Sequence, residues 1–446
     1  MHRSAVLGVA SVLLGLSLSG GAQPRPADPG RPNVVLIITD DVGYGDIGSY
    51  GAPDIKTPNI DRLAKEGVRL TDFYAAPQCT PTRAALITGR YQQRVRLERA
   101  LTTAPAALEQ GLPPTGRSLP RLLKDNGYAT GLVGKWHLGY KPEFGPNAHG
   151  FDSFFGFLGG TLDYYTHTRS DGLPDLYENT TAVQQDGYMT DLITARAVRF
   201  IEQRVAAPFF LEVAYNAAHW PFQPPDHHSK APDNAAFQGP DAAVPATRKD
   251  YVAMLERADA GVGQILRRLD ALGLAKNTLV IFTNDNVGEW LSRNAPLFHR
   301  KDTLWEGGIR VPAIFRWPAR LPAGKTSGQA GITMDLTASI LAATSTPVPP
   351  DAHLEGVDIL PILAGRSPTV ERTLFWRIST PNRQQRAVRS GDWKLLLDGG
   401  QLLLYNLRAD IGERNDLAAS RPDLVAKLRP LIGAWEKAVD ADASAR

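Results

Sequence analysis

The stretch NVVLIITDD, residues 33–41, joins an apolar run to two adjacent carboxylates. The run from Val34 to Thr39 predicts a buried β-strand, and Asp40 and Asp41 follow directly at its carboxyl end. In open α/β sheets the ligand site lies at the carboxyl ends of the strands. This stretch therefore predicts the class of the fold and also the place of a functional site.

Three later apolar runs also end in polar, titratable side chains. These runs, each with the residues that follow it, are YATGLV (128–133) with Lys135 and His137, Phe209–Ala214 with His219, and Leu279–Thr283 with Asp285 and Asn286. One such end is most simply a charged surface loop. Four such ends in one chain predict a composite site, to which each strand contributes side chains.

Helical patterns alternate with these strands, over residues 57–66, 118–126, 188–204 and 248–272. Thr57, followed by a proline at the first helical position, and Ser118 are suited to capping the first two helices. The alternation predicts an α/β fold with a large mixed, mainly parallel sheet flanked by helices.

The pattern changes after about residue 345, where the proline-rich TSTPVPPDAH begins the connection to a different kind of segment. TLFWRI, RAVRSGDWKLLL and QLLLYNL then alternate with glycine-containing turns, which predicts antiparallel strands, and a helix is predicted at 421–438. We therefore predict an α/β domain over 23–365 and a smaller C-terminal α+β domain over 366–446.

The amino terminus and the overall composition predict an exported protein. Residues 1–22 combine an early arginine, an apolar run and small residues, as is typical of a signal peptide, so we expect a periplasmic or secreted protein. No later stretch is long and apolar enough to predict a membrane span, and one cysteine cannot form an internal disulfide. A net charge of +3 without a basic stripe argues against nucleic acid binding.

The single cysteine, Cys79, lies in PQCTPTRAALITGR, residues 77–90. A free cysteine is most simply a small buried apolar residue. Here, however, Pro81 suits the first turn of a helix that Gly89 can end, which places Cys79 just before a helix amino terminus. Arg83 adds a positive charge close by. A reactive or anion-binding group is favoured in such a place.

The residues at two of the strand ends are oxygen donors. Asp40, Asp41, Asp285 and Asn286 supply carboxylate and amide oxygens, and adjacent carboxylates repel each other unless a cation lies between them. Oxygen donors of this kind select Ca²⁺ or Mg²⁺ over zinc. The thiolate of Cys79 is a poor ligand for either ion, so its nearby position needs a separate explanation.

The motif Cys79-Thr80-Pro81-Thr82-Arg83 resembles the C-x-P-x-R signature of the type I sulfatases, which belong to the alkaline phosphatase superfamily. TDDVGYGDIGSYG, GKWHLG, HGFDSFFGF, NDN and WEGGIRVPAIFRWP also resemble segments of that family and follow its order. The resemblance implies an alkaline phosphatase-like fold and hydrolysis of aryl or carbohydrate sulfate esters. It further implies that a formylglycine-generating enzyme oxidises Cys79 to formylglycine, whose hydrate is the nucleophile.

The resemblance also implies a role for each matching residue. Asp40, Asp41, Asp285 and Asn286 would hold Ca²⁺ or Mg²⁺ together with modified Cys79, and Arg83 would position these groups. Lys135 would bind the sulfate and the nucleophile, and His137 would accept a proton during sulfate release. His219 and Lys301 would contact the sulfate and assist departure of the alcohol. Val287 departs from the family pattern, which has glycine there.

Two other functions remain open at this point. A related formylglycine enzyme could hydrolyse phosphonate monoesters or phosphodiesters, and an inactive sulfatase-like protein could bind a sulfated ligand without cleaving it. The arylsulfatase and N-acetylgalactosamine-6-sulfatase branch is similar, which favours a sulfated sugar or an aryl sulfate as substrate. Residues 160–168, Trp220 and Phe222 are candidates for the substrate mouth or for core positions, and His227 and His228 are predicted to be exposed loop residues.

Overall fold

The computed structural model describes residues 1–2, 30–226 and 246–444. All but the first two residues of the predicted signal peptide, 1–22, lie outside the described residues, as do His227 and His228. The signal peptide and export therefore remain predictions. None of the described helices has the length and apolar composition that crossing a membrane requires.

A mixed sheet forms the centre of the described structure. Its eleven strands among the described residues are β1 (Asn33–Thr39), β2 (Val68–Tyr74), β3 (Ala129–Lys135), β4 (Ser153–Phe157), β5 (Tyr177–Glu178), β6 (Thr181–Ala182), β7 (Phe209–Ala214), β8 (Thr278–Asn284), β9 (Arg310–Arg316), β10 (Lys325–Ser327) and β11 (Gly331–Ile332). They lie in the order β10-β2-β9-β8-β1-β7-β3-β4-β5-β6, and β11 also pairs with β2.

The five central strands, β8, β1, β7, β3 and β4, are parallel to one another. Antiparallel pairs occur where β9 joins β8 and β2, and at the β4-β5-β6 edge. Every residue of β1 is buried, because core clusters cover both faces of the sheet. The predicted mixed, mainly parallel sheet is confirmed.

Helices pack on both faces of this sheet. The α-helices of the described residues, including α10 beside the C-terminal sheet, are α1 (Pro58–Glu66), α2 (Cys79–Thr88), α3 (Pro105–Leu108), α4 (Leu119–Asp125), α5 (Met189–Gln203), α6 (Arg248–Ala271), α7 (Glu306–Ile309), α8 (Thr333–Ala343), α9 (Leu360–Leu363) and α10 (Pro422–Ser444). The four helices predicted between the strands agree with α1, α4, α5 and α6 to within one residue at each end.

Three local predictions were wrong. Cys79 is the first residue of α2 and does not precede it, and Gln78 is the N-cap. Thr57 and Ser118 stand at N-cap positions, but neither makes a side-chain cap hydrogen bond. The Thr57 hydroxyl instead accepts the Gly48 N–H at 2.8 Å, and the Ser118 hydroxyl donates to the His149 carbonyl at 2.6 Å. Tertiary contacts therefore use both hydroxyls.

The carboxyl-terminal residues form an antiparallel sheet of β12 (Thr373–Thr380), β13 (Arg383–Ser390), β14 (Trp393–Asp398) and β15 (Gln401–Asn406), followed by α10. The strands agree with the prediction, and the helix runs six residues past its predicted end at 438. Trp376 and Tyr405 of this sheet share an apolar cluster with Tyr74 and Trp305. The domain boundaries at 23–365 and 366–446 remain predictions.

A buried ion cluster joins the C-terminal sheet to α7, which leads into β9 of the central sheet. The Lys394 ammonium of β14 lies 2.9 Å from the Glu306 carboxylate of α7 and 2.8 Å from that of Glu413, and all three side chains are fully buried. Burial raises the pKa of Glu413 to about 7 although Lys394 opposes the shift. At Glu306, Lys394 and Arg310 outweigh burial and lower the pKa to about 2. Lys394 is therefore central to the charge balance of this cluster.

Replacing this lysine should destabilise the protein strongly. We expect Lys394→Ala to lower the free energy of unfolding by about 3–5 kcal/mol, because it removes one partner of a buried ion cluster and leaves the Glu413 carboxyl without this cation. Arg257→Ala is the matched control: its ion pair with Asp191 is exposed, and its loss should cost about 1 kcal/mol or less. Urea unfolding measures both, and similar values for the two variants would contradict the prediction.

Candidate active site

Four neighbouring strands bring the predicted site residues to one edge of the sheet. β8, β1, β7 and β3 lie side by side and parallel, so their carboxyl ends meet there. The backbone also joins these ends: the Asp40 N–H donates to the Ala217 carbonyl at 3.0 Å, and the Asp285 N–H to the Thr39 carbonyl at 3.1 Å. The composite site follows directly from the sheet topology.

Cys79 reaches the same edge from a fifth strand. β2 is antiparallel to β9, which is antiparallel to β8, so β2 also ends at this edge and leads into α2. The Cys79 sulfur lies 3.8 Å from Asp40 Oδ1. Donor atoms of Asp40, Asp41, Cys79 and His219 all lie within 4.8 Å of one another, a grouping that could hold a metal ion.

Each of the three carboxylates is paired with a cation. Lys135 Nζ lies 2.6 Å from Asp40, and Arg83 lies 2.9 Å from Asp285. Lys301 Nζ lies 2.8 Å from Asp41 and 3.6 Å from Glu289. The three pairs are almost completely buried. We call these three ion pairs the charge-balanced cluster.

The two adjacent aspartates titrate differently. Burial, together with the charge of Asp285, raises the pKa of Asp40 well above its ordinary value, although Lys135 opposes the shift. At Asp41, Lys301 and His219 outweigh burial and lower the pKa to about 2. Burial also raises the pKa of the Cys79 thiol, so unmodified Cys79 is a neutral thiol at neutral pH.

The oxygen atoms at the end of β8 fit a hard cation. Asn286 Nδ2 donates to Asp41 Oδ1 at 2.6 Å and to the Val287 carbonyl at 2.9 Å, while Asn286 Oδ1 is buried without a hydrogen-bond partner. Asp285 Oδ1 is likewise buried and unpartnered, since Arg83 contacts the other carboxylate oxygen. Buried oxygens without partners are costly unless a cation or water satisfies them. The donors present therefore suit Ca²⁺ or Mg²⁺.

The two histidines of the site are held differently. His137 Nε2 lies 2.7 Å from the Leu101 carbonyl, which leaves Nδ1 buried and without a partner. His219 Nδ1 lies 2.6 Å from the Trp220 carbonyl, and its Nε2 lies 3.6 Å from Asp41 Oδ2. Burial lowers the pKa of His137 well below its ordinary value and that of His219 to about 3. Both rings are therefore neutral at neutral pH.

A pocket of about 290 Å³ opens above Cys79. It is lined by Gln78, Cys79, Ala100, Leu101, Thr102, Thr103, His137, Tyr140, Gly160, Thr161, Ser170, His219, Trp220, Glu289, Trp290, Lys301 and Asp302. The reactive groups lie at the base of a space large enough for a small organic ligand.

The structure brings together every site residue predicted from the sequence: Asp40, Asp41, Cys79, Arg83, Lys135, His137, His219, Asp285, Asn286 and Lys301. Of the candidate mouth residues, Trp220 lines the pocket, as do Gly160 and Thr161 from 160–168, whereas Phe222 packs against Tyr251. Glu289 and Trp290 were missed, although they lie in the loop after β8, just beyond Asp285 and Asn286.

Comparison with known proteins identifies the family. The family model described as Sulfatase matches residues 32–346, which is most of the chain. The chain belongs to the sulfatase family. This sulfatase is 35% identical to N-acetylgalactosamine-6-sulfatase of Canis lupus familiaris over 82% of its own chain and 71% of the relative. It is also 35% identical to arylsulfatase A of Homo sapiens, over 94% of its chain and 90% of the relative.

Solved structures agree with this assignment. The sulfatase superposes on the crystal structure of Ps i-CgsB with a TM-score of 0.82 and 33% identity, covering 91% of this chain and 92% of the other. PsFucS1 sulfatase from Pseudoalteromonas sp. gives a TM-score of 0.72 at 27% identity, covering 93% and 91%. The alkaline phosphatase-like fold of this sulfatase is thus confirmed. The protein is an enzyme, a sulfuric ester hydrolase that releases sulfate and an alcohol.

Proposed function

We propose that this sulfatase cleaves the sulfate ester of a sulfated saccharide, with formylglycine at position 79 and a Ca²⁺ or Mg²⁺ ion held by the neighbouring oxygen donors. One observation carries the proposal: a neutral, buried thiol stands among carboxylates at the base of the pocket. As a protonated thiol, Cys79 is neither a good nucleophile nor a ligand for a hard ion. Oxidation to the hydrated aldehyde supplies hydroxyl groups that suit both tasks.

Asp40, Asp41, Asp285 and Asn286 would hold the cation together with residue 79. Two of them present buried oxygens that no protein donor satisfies. When bound, the cation supplies positive charge that polarises the sulfate group and the hydroxyl at position 79. His219 lies close enough to Asp41 to be considered as a further metal ligand. An imidazole nitrogen, however, favours softer metals than Ca²⁺ or Mg²⁺. We therefore assign His219 a role in contacting the substrate and not in holding the cation.

Three cations of the charge-balanced cluster would bind the sulfate and position the nucleophile. Lys301 lines the pocket and Lys135 is buried beside Asp40, and the charges of these two lysines are the largest effects that oppose the burial-driven rise in the pKa of the Cys79 thiol. Ammonium groups at these places stabilise the negative oxygens of a sulfate ester as its S–O bond breaks. Arg83 is held by Asp285 and by the Lys135 carbonyl at 2.9 Å, so its role is to position the site.

The two histidines would move protons at different points of the reaction. His137 presents an unpartnered Nδ1, which suits a base that accepts a proton from the hydroxyl at position 79. His219 faces Asp41 through Nε2, on the side of Trp220. A bound anionic ester raises the pKa of a neighbouring imidazole and so opposes the effect of burial at His219. His219 can then protonate the departing alcohol.

The division of labour between the histidines gives a kinetic prediction. We expect His219→Ala to slow hydrolysis of a sugar sulfate far more than that of nitrophenyl sulfate, because only the poor leaving group needs protonation. His137→Ala should slow both substrates by a similar factor. Losses of about 10²–10⁴ are typical for such groups. Turnover of both variants on both substrates checks this, and equal losses throughout would contradict the separate roles.

Two relatives support a saccharide substrate. N-acetylgalactosamine-6-sulfatase carries a sulfated sugar in its name, and Ps i-CgsB has been solved in complex with k-i-k-neocarrahexaose. A second candidate substrate class, the aryl sulfates, is supported by the 35% identity to arylsulfatase A. Export to the periplasm or medium and a formylglycine-generating enzyme as maturation partner are parts of the same proposal.

Parallel assays test the proposed reaction. Defined monosulfated saccharides, nitrophenyl sulfate and an aryl phosphodiester should be compared at equal enzyme concentration, and we expect the sulfates to be hydrolysed with higher kcat/KM. A phosphodiester that is cleaved faster than every sulfate would overturn the choice of sulfate as substrate. Binding of a sulfated saccharide without any turnover by protein that carries formylglycine would favour a binding protein instead.

A further inference from the structure

Two tryptophans extend outward from the reaction centre. The His219 ring is stacked on the Trp220 indole, with ring centroids 5.3 Å apart and planes at 29°. Trp220 in turn lies beside Trp290, with centroids 5.9 Å apart and planes at 44°. Both indoles are half-buried and line the pocket. The rings of His219, Trp220 and Trp290 therefore form a continuous row, which begins next to Asp41 and ends at the wall of the pocket. We call Trp220 and Trp290 the indole platform.

Hydrogen bonds to neighbouring backbone groups hold both tryptophans of the indole platform in place. On the Trp220 side, the buried Tyr164 hydroxyl donates to the carbonyls of Asn216, at 2.7 Å, and His219, at 2.9 Å. On the Trp290 side, the side-chain amide of Asn294 contacts Gly288 twice: Nδ2 donates to the Gly288 carbonyl at 3.0 Å, and Oδ1 accepts the Gly288 N–H at 3.2 Å. Rigid aromatic faces bind a ligand with little loss of conformational entropy.

Polar groups accompany the platform in the same pocket. The Glu289 carboxylate, next to Trp290, lies 3.6 Å from Lys301 and lines the pocket. Thr102, Thr103 and Ser170 add hydroxyl groups to the lining, and the Thr103 and Ser170 hydroxyls are 3.2 Å apart. An apolar flat face combined with hydroxyl partners matches a pyranose ring, whose C–H faces are apolar and whose rim carries hydroxyls. An aryl group has the flat face but no hydroxyl rim.

We propose that the indole platform is the binding subsite for the pyranose ring that carries the sulfate, and that Glu289 accepts a hydrogen bond from a hydroxyl of that ring. The proposal rests on the proposed function, since it places the sulfate beside Lys135 and Lys301. It goes further by assigning the choice of a sugar to three residues outside the reacting groups. Trp220, Glu289 and Trp290 are thus specificity-determining residues.

Binding to an unreactive variant tests the platform without turnover. In the full-length Cys79→Ala protein with Ca²⁺, we would measure by calorimetry the affinity for N-acetylgalactosamine 6-sulfate, for its reduced open-chain alditol and for inorganic sulfate. Adding Trp290→Ala should weaken binding of the pyranose sulfate by about tenfold, as for the loss of one good aromatic contact. The alditol, which has no ring, and inorganic sulfate should bind as before. Trp290→Phe should restore most of the affinity.

Controls separate this proposal from general damage and from failure of the proposed chemistry. Trp393→Ala removes a half-buried tryptophan of the C-terminal sheet and should change none of the three affinities. Glu289→Gln should weaken the pyranose sulfate severalfold but leave phenyl sulfate unchanged, which distinguishes a sugar from an aryl ligand. Three results would each overturn the subsite. They are an equal loss of affinity for the pyranose sulfate and the alditol, an unchanged affinity in Trp290→Ala, and no binding of the pyranose sulfate at all. Absence of turnover in wild-type protein alongside Trp290-dependent binding would overturn the chemistry alone.

Discussion

Cys79→Ala should lower turnover of any sulfate ester by about 10⁴-fold or more, as removal of a catalytic nucleophile does in other hydrolases. The fold should survive, because the variant removes one sulfur atom from the first turn of α2, and the hydrogen-bond contact of that sulfur with Asp40 is long, at 3.8 Å. Thermal unfolding and circular dichroism should therefore match those of the wild type. Activity within tenfold of wild type would exclude residue 79 as the nucleophile.

The chemical state of residue 79 can be read separately from activity. Mass spectrometry of the peptide that contains residues 77–90 should show loss of sulfur and gain of an aldehyde oxygen in active protein. Cys79→Ser is the informative companion, because it provides a hydroxyl at the same place without the second hydroxyl of a hydrated aldehyde. We expect it to remain at least about 10²-fold below the modified enzyme. A fully active preparation whose peptide carries only an unmodified thiol would refute formylglycine.

Asp285→Ala should remove the metal and the activity and also destabilise the fold. The variant takes away one proposed metal ligand, and it leaves the fully buried Arg83 guanidinium without its carboxylate. Breaking a buried ion pair from one side costs about 3–5 kcal/mol. We expect turnover to fall below about one thousandth of wild type, since both the cation and the position of Arg83 are affected.

Elemental analysis and two further variants make this result specific. Wild-type protein should contain about one Ca²⁺ or Mg²⁺ per chain, and stoichiometric zinc without either ion would contradict the assignment. Asp285→Asn keeps the shape but only one oxygen, which can face either Arg83 or the cation, so it should destabilise the fold less than Asp285→Ala while still losing most of the metal. Asp54→Ala, which removes a partly exposed partner of Arg248, should retain metal and activity and lose about 1 kcal/mol or less.

Much of the fold was predictable because its signals are local. β1, β7 and β8 are fully buried strands with nearly unbroken apolar sequences, and α5 and α6 have helical patterns long enough to define their ends. β2 was missed. It alternates buried and half-buried residues and shifts its register with β9 between Leu70 and Phe73, which interrupts the pattern that identifies a strand.

The site residues were predictable for a topological reason, but their pairing was not. Parallel strands send their carboxyl ends to one edge, so Asp40, His137, His219 and Asp285 had to approach one another. The pairing of each lysine with its aspartate depends on how side chains from distant parts of the sequence pack together. Lys135 and Asp40, for example, are more than ninety residues apart in the sequence. Trp290 was missed for a similar reason, since its role depends on Trp220 from a different loop.

The charge-balanced cluster links two binding equilibria that are usually considered apart. Lys135 and Lys301 pair with the same aspartates that would hold a divalent cation. A cation that takes over Asp40 and Asp41 would release both ammonium groups, and a sulfate dianion would offer them new partners. Cation and sulfate would then each raise the affinity for the other by the same factor, as thermodynamic reciprocity requires. Substrate would thus protect the enzyme against chelators, and sulfate released by the reaction would slow the loss of the metal.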